Sequence, residues 1–224
     1  MPVLREVVEA PGLVLRSDGE ILILVVDHAV QEDRQLSDQV EEIWRSLHEL
    51  VKTLSGACKL AGGHDQHEVR LQNVFYEDHN GQRTWLPISG RGNITLPPLG
   101  SVQPEQEAQI IGAALKSPAV AKALRLFDGP ADWVNLYRML EVVEDAVGGR
   151  QALVALGWIS KGDLERFTIS SNHPRVSGDR ARHGVMKGTP KRRMDLQEAR
   201  ALLKGLLRRL VRAPATTAAP ENKV

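Results

Sequence analysis

A single cysteine, Cys58, occurs among 224 residues. That excludes an internal disulfide framework and any cysteine-rich metal site, and it fits a reducing compartment. Long apolar runs are equally absent. The longest, Ile21 to Val26, is far too short to span a bilayer. The opening residues, Met1-Pro2-Val3-Leu4-Arg5-Glu6, lack the basic start and apolar stretch of a secretory leader. A cytoplasmic protein with no membrane segment is therefore expected. Apolar residues make up 42% of the chain and charged residues 25%, enough to build a core without staples in one large domain or two small ones.

Charge of one sign is scarce overall, since the formal net charge is only +1. The balance hides an asymmetry. From Arg180 to Arg212 eleven Lys and Arg face two acids, Asp195 and Glu198, so this stretch carries +9 and the remainder is net acidic. A basic block of that size suits phosphate or nucleic acid. It equally suits a solvated helix face that pairs with the acidic remainder of the chain.

The pattern of the first hundred residues predicts a small β-rich α+β unit. Gly12 to Arg16 and Ile21 to Val26 flank Ser17-Asp18-Gly19-Glu20 and read as a hairpin. Val69 to Tyr76 and Arg83 to Ile88 flank Asn80-Gly81, the dipeptide that tolerates the positive φ of a type I′ turn. Ile94-Thr95-Leu96 reads as a further strand. Between the hairpins, Val40, Ile43, Trp44, Leu47, Leu50 and Leu54 recur at helical spacing, predicting a helix over 38–54 capped by Ser37. His64 and His67, with Asp65 between them, sit in a glycine-rich stretch. Two imidazoles do not make a zinc site without a third ligand, so no metal and no cofactor is expected.

After Gly100 the periodicity turns helical, and 101–212 is expected to be an all-helical bundle with a disordered tail over 213–224. The overall class expected is thus α+β, with domains 1–100 and 101–212. Helices are predicted from Pro104, over 119–127, 132–147, 151–157, 160–168 and 196–212. Ser160 and Asp195 are the expected caps of the last two. Arg200, Lys204 and Arg208 form a basic stripe on the outer side of the final helix.

The densest chemistry lies in the loop from Asn172 to Gly184, which holds His173, Arg175, Arg180, Arg182 and His183. Histidine moves protons near neutrality and arginine binds phosphate with two hydrogen bonds. Metal-independent RNA cleavage needs little more than such a base and such a cation. The candidate catalytic residues are His183, Arg180, Arg175 and Asn172. Arg182, Lys187, Lys191, Arg192 and Arg193 are candidates for holding the RNA backbone. The same residues also admit a structural reading, with Asp179 paired to Arg175 or Arg182 and His183 buttressing the last helix.

Helices that end in Arg180-Ala181-Arg182-His183-Gly184, followed by a connector and a last amphipathic helix, resemble the HEPN superfamily. The likeness covers about residues 104–212, and its specific part is confined to those five residues and the helix after them. It implies a helical domain of the prokaryotic defence or toxin kind, often a metal-independent endoribonuclease and sometimes a non-catalytic binding or dimerising module. The usual motif places an arginine so that four to six residues separate it from the histidine. Those positions here hold Val176, Ser177 and Gly178, with Arg175 one residue further upstream and Arg180 closer. An interaction or homodimerisation protein within a larger assembly is the alternative to the RNA reading.

Overall fold

The apolar spacing of the second half produces a packed helical core. The structure, a computed structural model, describes residues 5–10, 13–17, 22–26, 36–62, 74–77, 83–86, 104–178 and 192–213. It divides into two units, Met1–Gly112 and Ala113–Val224.

In the first unit, β1 (Arg5–Ala10), β2 (Leu13–Ser17) and β3 (Leu22–Val26) form an antiparallel three-stranded ladder in chain order. Leu13 lies opposite Val26 and Ser17 opposite Leu22, so the hairpin read from Asp18-Gly19 is present. β1 carries no strong alternation, and the sequence pattern does not mark it as a strand. Strands β4 (Val74–Glu77) and β5 (Arg83–Leu86) pair around the Asn80-Gly81 connection, with Phe75 opposite Trp85. The expected strand at Ile94–Leu96 and the pair His64 and His67 lie outside the described residues. Helix α1 runs over Leu36–Ala61, longer at both ends than the spacing predicts. Ser37 lies inside it and is not its cap. The extension follows from burial: Ala57 and Leu60 are fully enclosed, and Ser55 with them.

The α+β class is corrected. Across the residues whose side chains are described, 82% are helical and none lies in a strand, so the packed body is all-helical. The strands are short ladders of three and two, and the two ladders do not pair with each other. A lone hairpin is marginal without a covered apolar face, and hairpin signals in sequence report local turn chemistry, not a shared β core.

The helices of the second half are α2 (Pro104–Lys116), α3 (Pro118–Asp128), α4 (Trp133–Ala146), α5 (Arg150–Ala155), α6 (Lys161–Asn172), α7 (Pro174–Ser177) and α8 (Leu196–Arg212). Their ends are written in the chain. Ser117 accepts from the Val120 amide and Pro118 occupies the first turn, where a missing N–H costs nothing. Asp132 accepts from Asn135 N at 2.9 Å, and Asp195 from Glu198 N at 2.7 Å. Ser160 accepts from Asp163 N at 3.0 Å while its hydroxyl donates to the Asp163 carboxylate at 2.7 Å. After α4, Gly149 N donates to Glu144 O and Gly148 N to Asp145 O. This Schellman closure needs positive φ, which Gly148 supplies at 90°.

α4 is the hub of the second unit, packing against α3, α5, α6 and α8. Its buried residues are Trp133, Leu136, Met139, Leu140 and Val143. Phe167 of α6 is fully buried, edge-on to Trp133 at 5.9 Å and stacked with Tyr137 at 6.3 Å. α8 lays Ala199, Leu203, Leu206, Leu207, Leu210 and Val211 into the same core. Arg209 then donates to the carbonyls of Gly157 and Trp158 just after α5. No helix among the described residues is long and apolar enough to cross a membrane. Apart from Ala213, the expected tail over 213–224 lies outside the described residues.

This packing sets two expected outcomes. Phe167→Ala should lower stability by about 3–5 kcal/mol, because it removes a fully enclosed ring that packs on both Trp133 and Tyr137; urea unfolding measures it. In the first unit, burial raises the Glu107 carboxyl above its ordinary 4.5, and the Cys58 thiol hydrogen bond opposes this only in part. A carboxyl raised on folding destabilises once it must ionise, so this cost is absent at acid pH and grows as pH climbs from 4.5 through the raised folded value. Glu107→Gln should therefore be more stable than wild type at neutral pH and should lose that advantage in acid.

Candidate functional site

The run Thr168-Ile169-Ser170-Ser171-Asn172 is polar enough to read as loop, yet it forms the last turn and a half of α6. The reason is tertiary. Ser170 is fully buried and Ser171 nearly so, and each finds hydrogen bonds there. The Ser171 hydroxyl donates to Thr168 O at 3.1 Å. Ser170 serves two distant segments. Its carbonyl accepts from the Ser177 hydroxyl at 3.0 Å, and its own hydroxyl oxygen accepts from Met194 N at 2.7 Å.

Those two partners bracket the basic segment. The chain leaves α7 at Gly178, whose φ of 60° turns it out of the helix. It re-enters the described structure at Arg192 and buries Met194. The residues flanking 179–191 are thus tied to the end of α6: Met194 N donates to the Ser170 hydroxyl, and the single hydrogen of the Ser177 hydroxyl is shared among the carbonyls of Ser170, Ser171 and His173. Arg166, one turn earlier on α6, adds to the second tie. It donates to Arg193 O at 3.2 Å and pairs with Glu198 at 2.7 Å. The Glu198 hydrogen bond pushes the Arg166 guanidinium above its ordinary value, so it stays charged at any working pH.

The candidate residues separate into those within this frame and those beyond it. Arg180, Arg182, His183, Lys187 and Lys191 lie outside the described residues. Arg175 does not belong to an open loop. It sits in the single turn of α7, exposed, with its backbone N–H donating to His173 Nδ1 at 3.2 Å. Asn172 is the last residue of α6. Its Oδ1 is buried and has no hydrogen-bond partner among the described residues, and neither has Thr168 Oγ1 one turn before it. As it stands, the Asn172 acceptor is closed to solvent, and the side chain must turn before it can meet a ligand. Arg192 and Arg193 are exposed immediately before α8. Among the described residues, no three potential metal ligands come together.

The second histidine of the motif has a structural task. His173 is 4% exposed and caps α7 through Nδ1. Its carbonyl accepts from Val176 N at 2.9 Å and Ser177 N at 3.1 Å. The imidazole Nδ1 is engaged as the acceptor that caps this turn.

Ser170, Ser177 and Arg166 do not stand out in the sequence. Their one linear signal is the clustering of hydroxyl residues just before the Arg/His stretch, and nothing in that pattern says that Ser170 bonds across 24 residues. The chain matches no protein-family model, no curated protein and no solved structure.

Ser170→Ala should cost about 1–3 kcal/mol, since it leaves the buried Met194 N–H without its acceptor. Chemical denaturation checks this. Hydrogen exchange should show the Met194 amide losing protection before the amides of α4.

Proposed function

We propose that the protein is HEPN-like and engages RNA through the Arg/His segment between α7 and α8, cleaving it without a metal ion. The observation that carries this reading is the double tie at Ser170. It ties Ser177 and Met194, which flank the segment, to α6, with Arg175 on one side and Arg192 and Arg193 on the other. A site needs a fixed frame of this kind to hold a reacting group at a set distance.

In this reading His183 takes the proton from a ribose 2′-OH. The 2′-oxygen bonds to the adjacent phosphorus, the bond from phosphorus to the 5′-oxygen breaks, and the leaving oxygen takes up a proton from solvent water while His183 returns its own to solvent. A 2′,3′-cyclic phosphate results. Arg180 or Arg175 steadies the charge on the crowded phosphate, and Asn172 bonds a neighbouring oxygen after turning outward. Arg182, Lys187, Lys191, Arg192 and Arg193 hold the flanking backbone. A role in prokaryotic defence or as a toxin accords with the HEPN resemblance.

The alternative is a non-enzymatic interaction or dimerisation protein. The exposed large apolar residues Leu115, Val134, Leu156 and Ile169 lie on or beside four different helices, α2, α4, α5 and α6. Single exposed apolar residues of this kind are ordinary, so they add no weight to that alternative.

The test is RNA binding by wild type and by Arg180→Ala/Arg182→Ala/His183→Ala at two salt concentrations in EDTA, with the RNA then run on a gel. Salt-sensitive binding that the variant loses, with cleavage by wild type, is the expected outcome. Cleavage that persists unchanged in His183→Ala would refute the mechanism. No RNA binding by wild type at low salt, with loop variants altering only stability or self-association, would favour the interaction protein.

A further inference from the structure

The last helix divides its charges by position. Both of its acids are engaged at the N-terminal end: Asp195 caps the helix, and Glu198 in the first turn pairs with Arg166. From Ala199 onward every charged residue of α8 is basic: Arg200, Lys204, Arg208, Arg209 and Arg212. Arg209 is occupied by the Gly157 and Trp158 carbonyls just after α5. The other four recur at every fourth residue. They begin beside the buried face at Arg200, whose guanidinium lies 4.8 Å over the Phe127 ring of α3, and wind outward to the exposed Arg208 and Arg212.

The favourable placement of cations near a helix C-terminus accounts for Arg212, because that field acts only within the last turn. It does not account for Arg200, Lys204 and Arg208. Each step of the row rises on the order of 6 Å, comparable with the separation of successive phosphates along an extended nucleic-acid strand. The surface beside the row is low. Ala201 and Gly205 are exposed, and a Cβ added at Gly205 would meet nothing within 4 Å. A polymer backbone can therefore lie close against it. Arg200, Lys204 and Arg208 also interact within the chain, so a phosphate would exchange with part of those interactions.

We infer that the Arg200–Lys204–Arg208–Arg212 row on α8 is a phosphate track, binding the backbone of a single-stranded RNA as it runs on from Arg192 and Arg193. The inference rests on the RNA reading above and names a second surface for it, separate from the cleaving group. The track reads no sequence, because its cations meet phosphates and not base edges.

The experiment measures the affinity of full-length protein for a fluorescein-labelled oligouridylate across a salt series in EDTA. The variants are Lys204→Gln/Arg208→Gln/Arg212→Gln, the exposed pair Arg208→Gln/Arg212→Gln, a control Arg138→Gln/Lys161→Gln at exposed sites on α4 and α6, and Arg180→Ala/Arg182→Ala/His183→Ala. Each phosphate that the protein no longer neutralises should flatten the slope of log affinity against log salt by about 0.7, so the triple variant should flatten it by about 2 and the pair by about 1.4. The control should keep the wild-type slope, and Lys204→Arg should bind as wild type does. The pair replaces only exposed side chains, so it keeps the test valid if the triple variant folds poorly. A wild-type slope in both the pair and the triple overturns the track, and so does a control that flattens as much per charge removed. If wild type binds and only the segment variant fails to bind, the track is wrong and the reading of the Arg/His segment stands. If only the α8 variants fail to bind, the track stands and that reading is wrong. A wild type that binds no RNA overturns both.

Discussion

The second unit is organised around the burial of one face of a single helix, α4. α4 packs against α3, α5, α6 and α8, and Met139, Leu140 and Val143 on it are wholly withdrawn from water. Full burial of such a side chain is worth roughly 1.5–3 kcal/mol, against the conformational entropy of ordering the helix. With α4 as the hub, the neighbouring helices have little freedom in where their apolar stripes can go. α8 must lie with Leu203, Leu206 and Leu207 inward, which leaves its basic row outward. α6 must insert Phe167, which brings Ser170 beside Ser177 and Met194.

The frame under that segment is polar where the rest of the core is apolar. Ser170 and Ser171 are buried hydroxyls on a helix, a place where hydrogen bonding to the local backbone usually competes with helix formation. Here Ser170 bonds to a remote amide instead, so its burial and its partner come as a pair. Asn172 and Thr168 at the same end keep polar atoms buried without a partner among the described residues, and buried groups of this kind are rare in folded proteins.

Much of the helical half is legible in the chain. Ser160, Asp195 and the glycines after α4 act within three to five residues, and a linear reading captures interactions of that range. The stripes of α4 and α8 repeat at helical period, which identifies Trp133, Leu140, Leu203 and Leu210 as core. The hairpin at Asp18-Gly19 is equally legible, because its turn chemistry is local. What the β signals do not convey is their weight. Two good turn dipeptides suggest a β-rich unit, whereas α1 extends through Ala61 and the packed body is helical. The region after Asn172 reads as loop for a related reason. Pro174 suits the first position of a helical turn as well as a loop, and only the burial of His173 decides between the two.

For the candidate site, the sequence by itself determined which groups are present: the arginines, the two histidines and a basic block with its acids confined to Asp195 and Glu198. It also determined the caps and the apolar faces, because these depend on neighbours one turn away. Only the tertiary structure decided that His173 is a cap, that Arg175 belongs to a helical turn, that Arg166 and Glu198 pair across 32 residues, and that Ser170 bonds to Ser177 and Met194, which flank the basic segment. Those contacts join α6 to α7 and to the start of α8. They exist because the burial of Phe167 and Leu203 in one core brings those elements together, and no local spacing encodes that meeting.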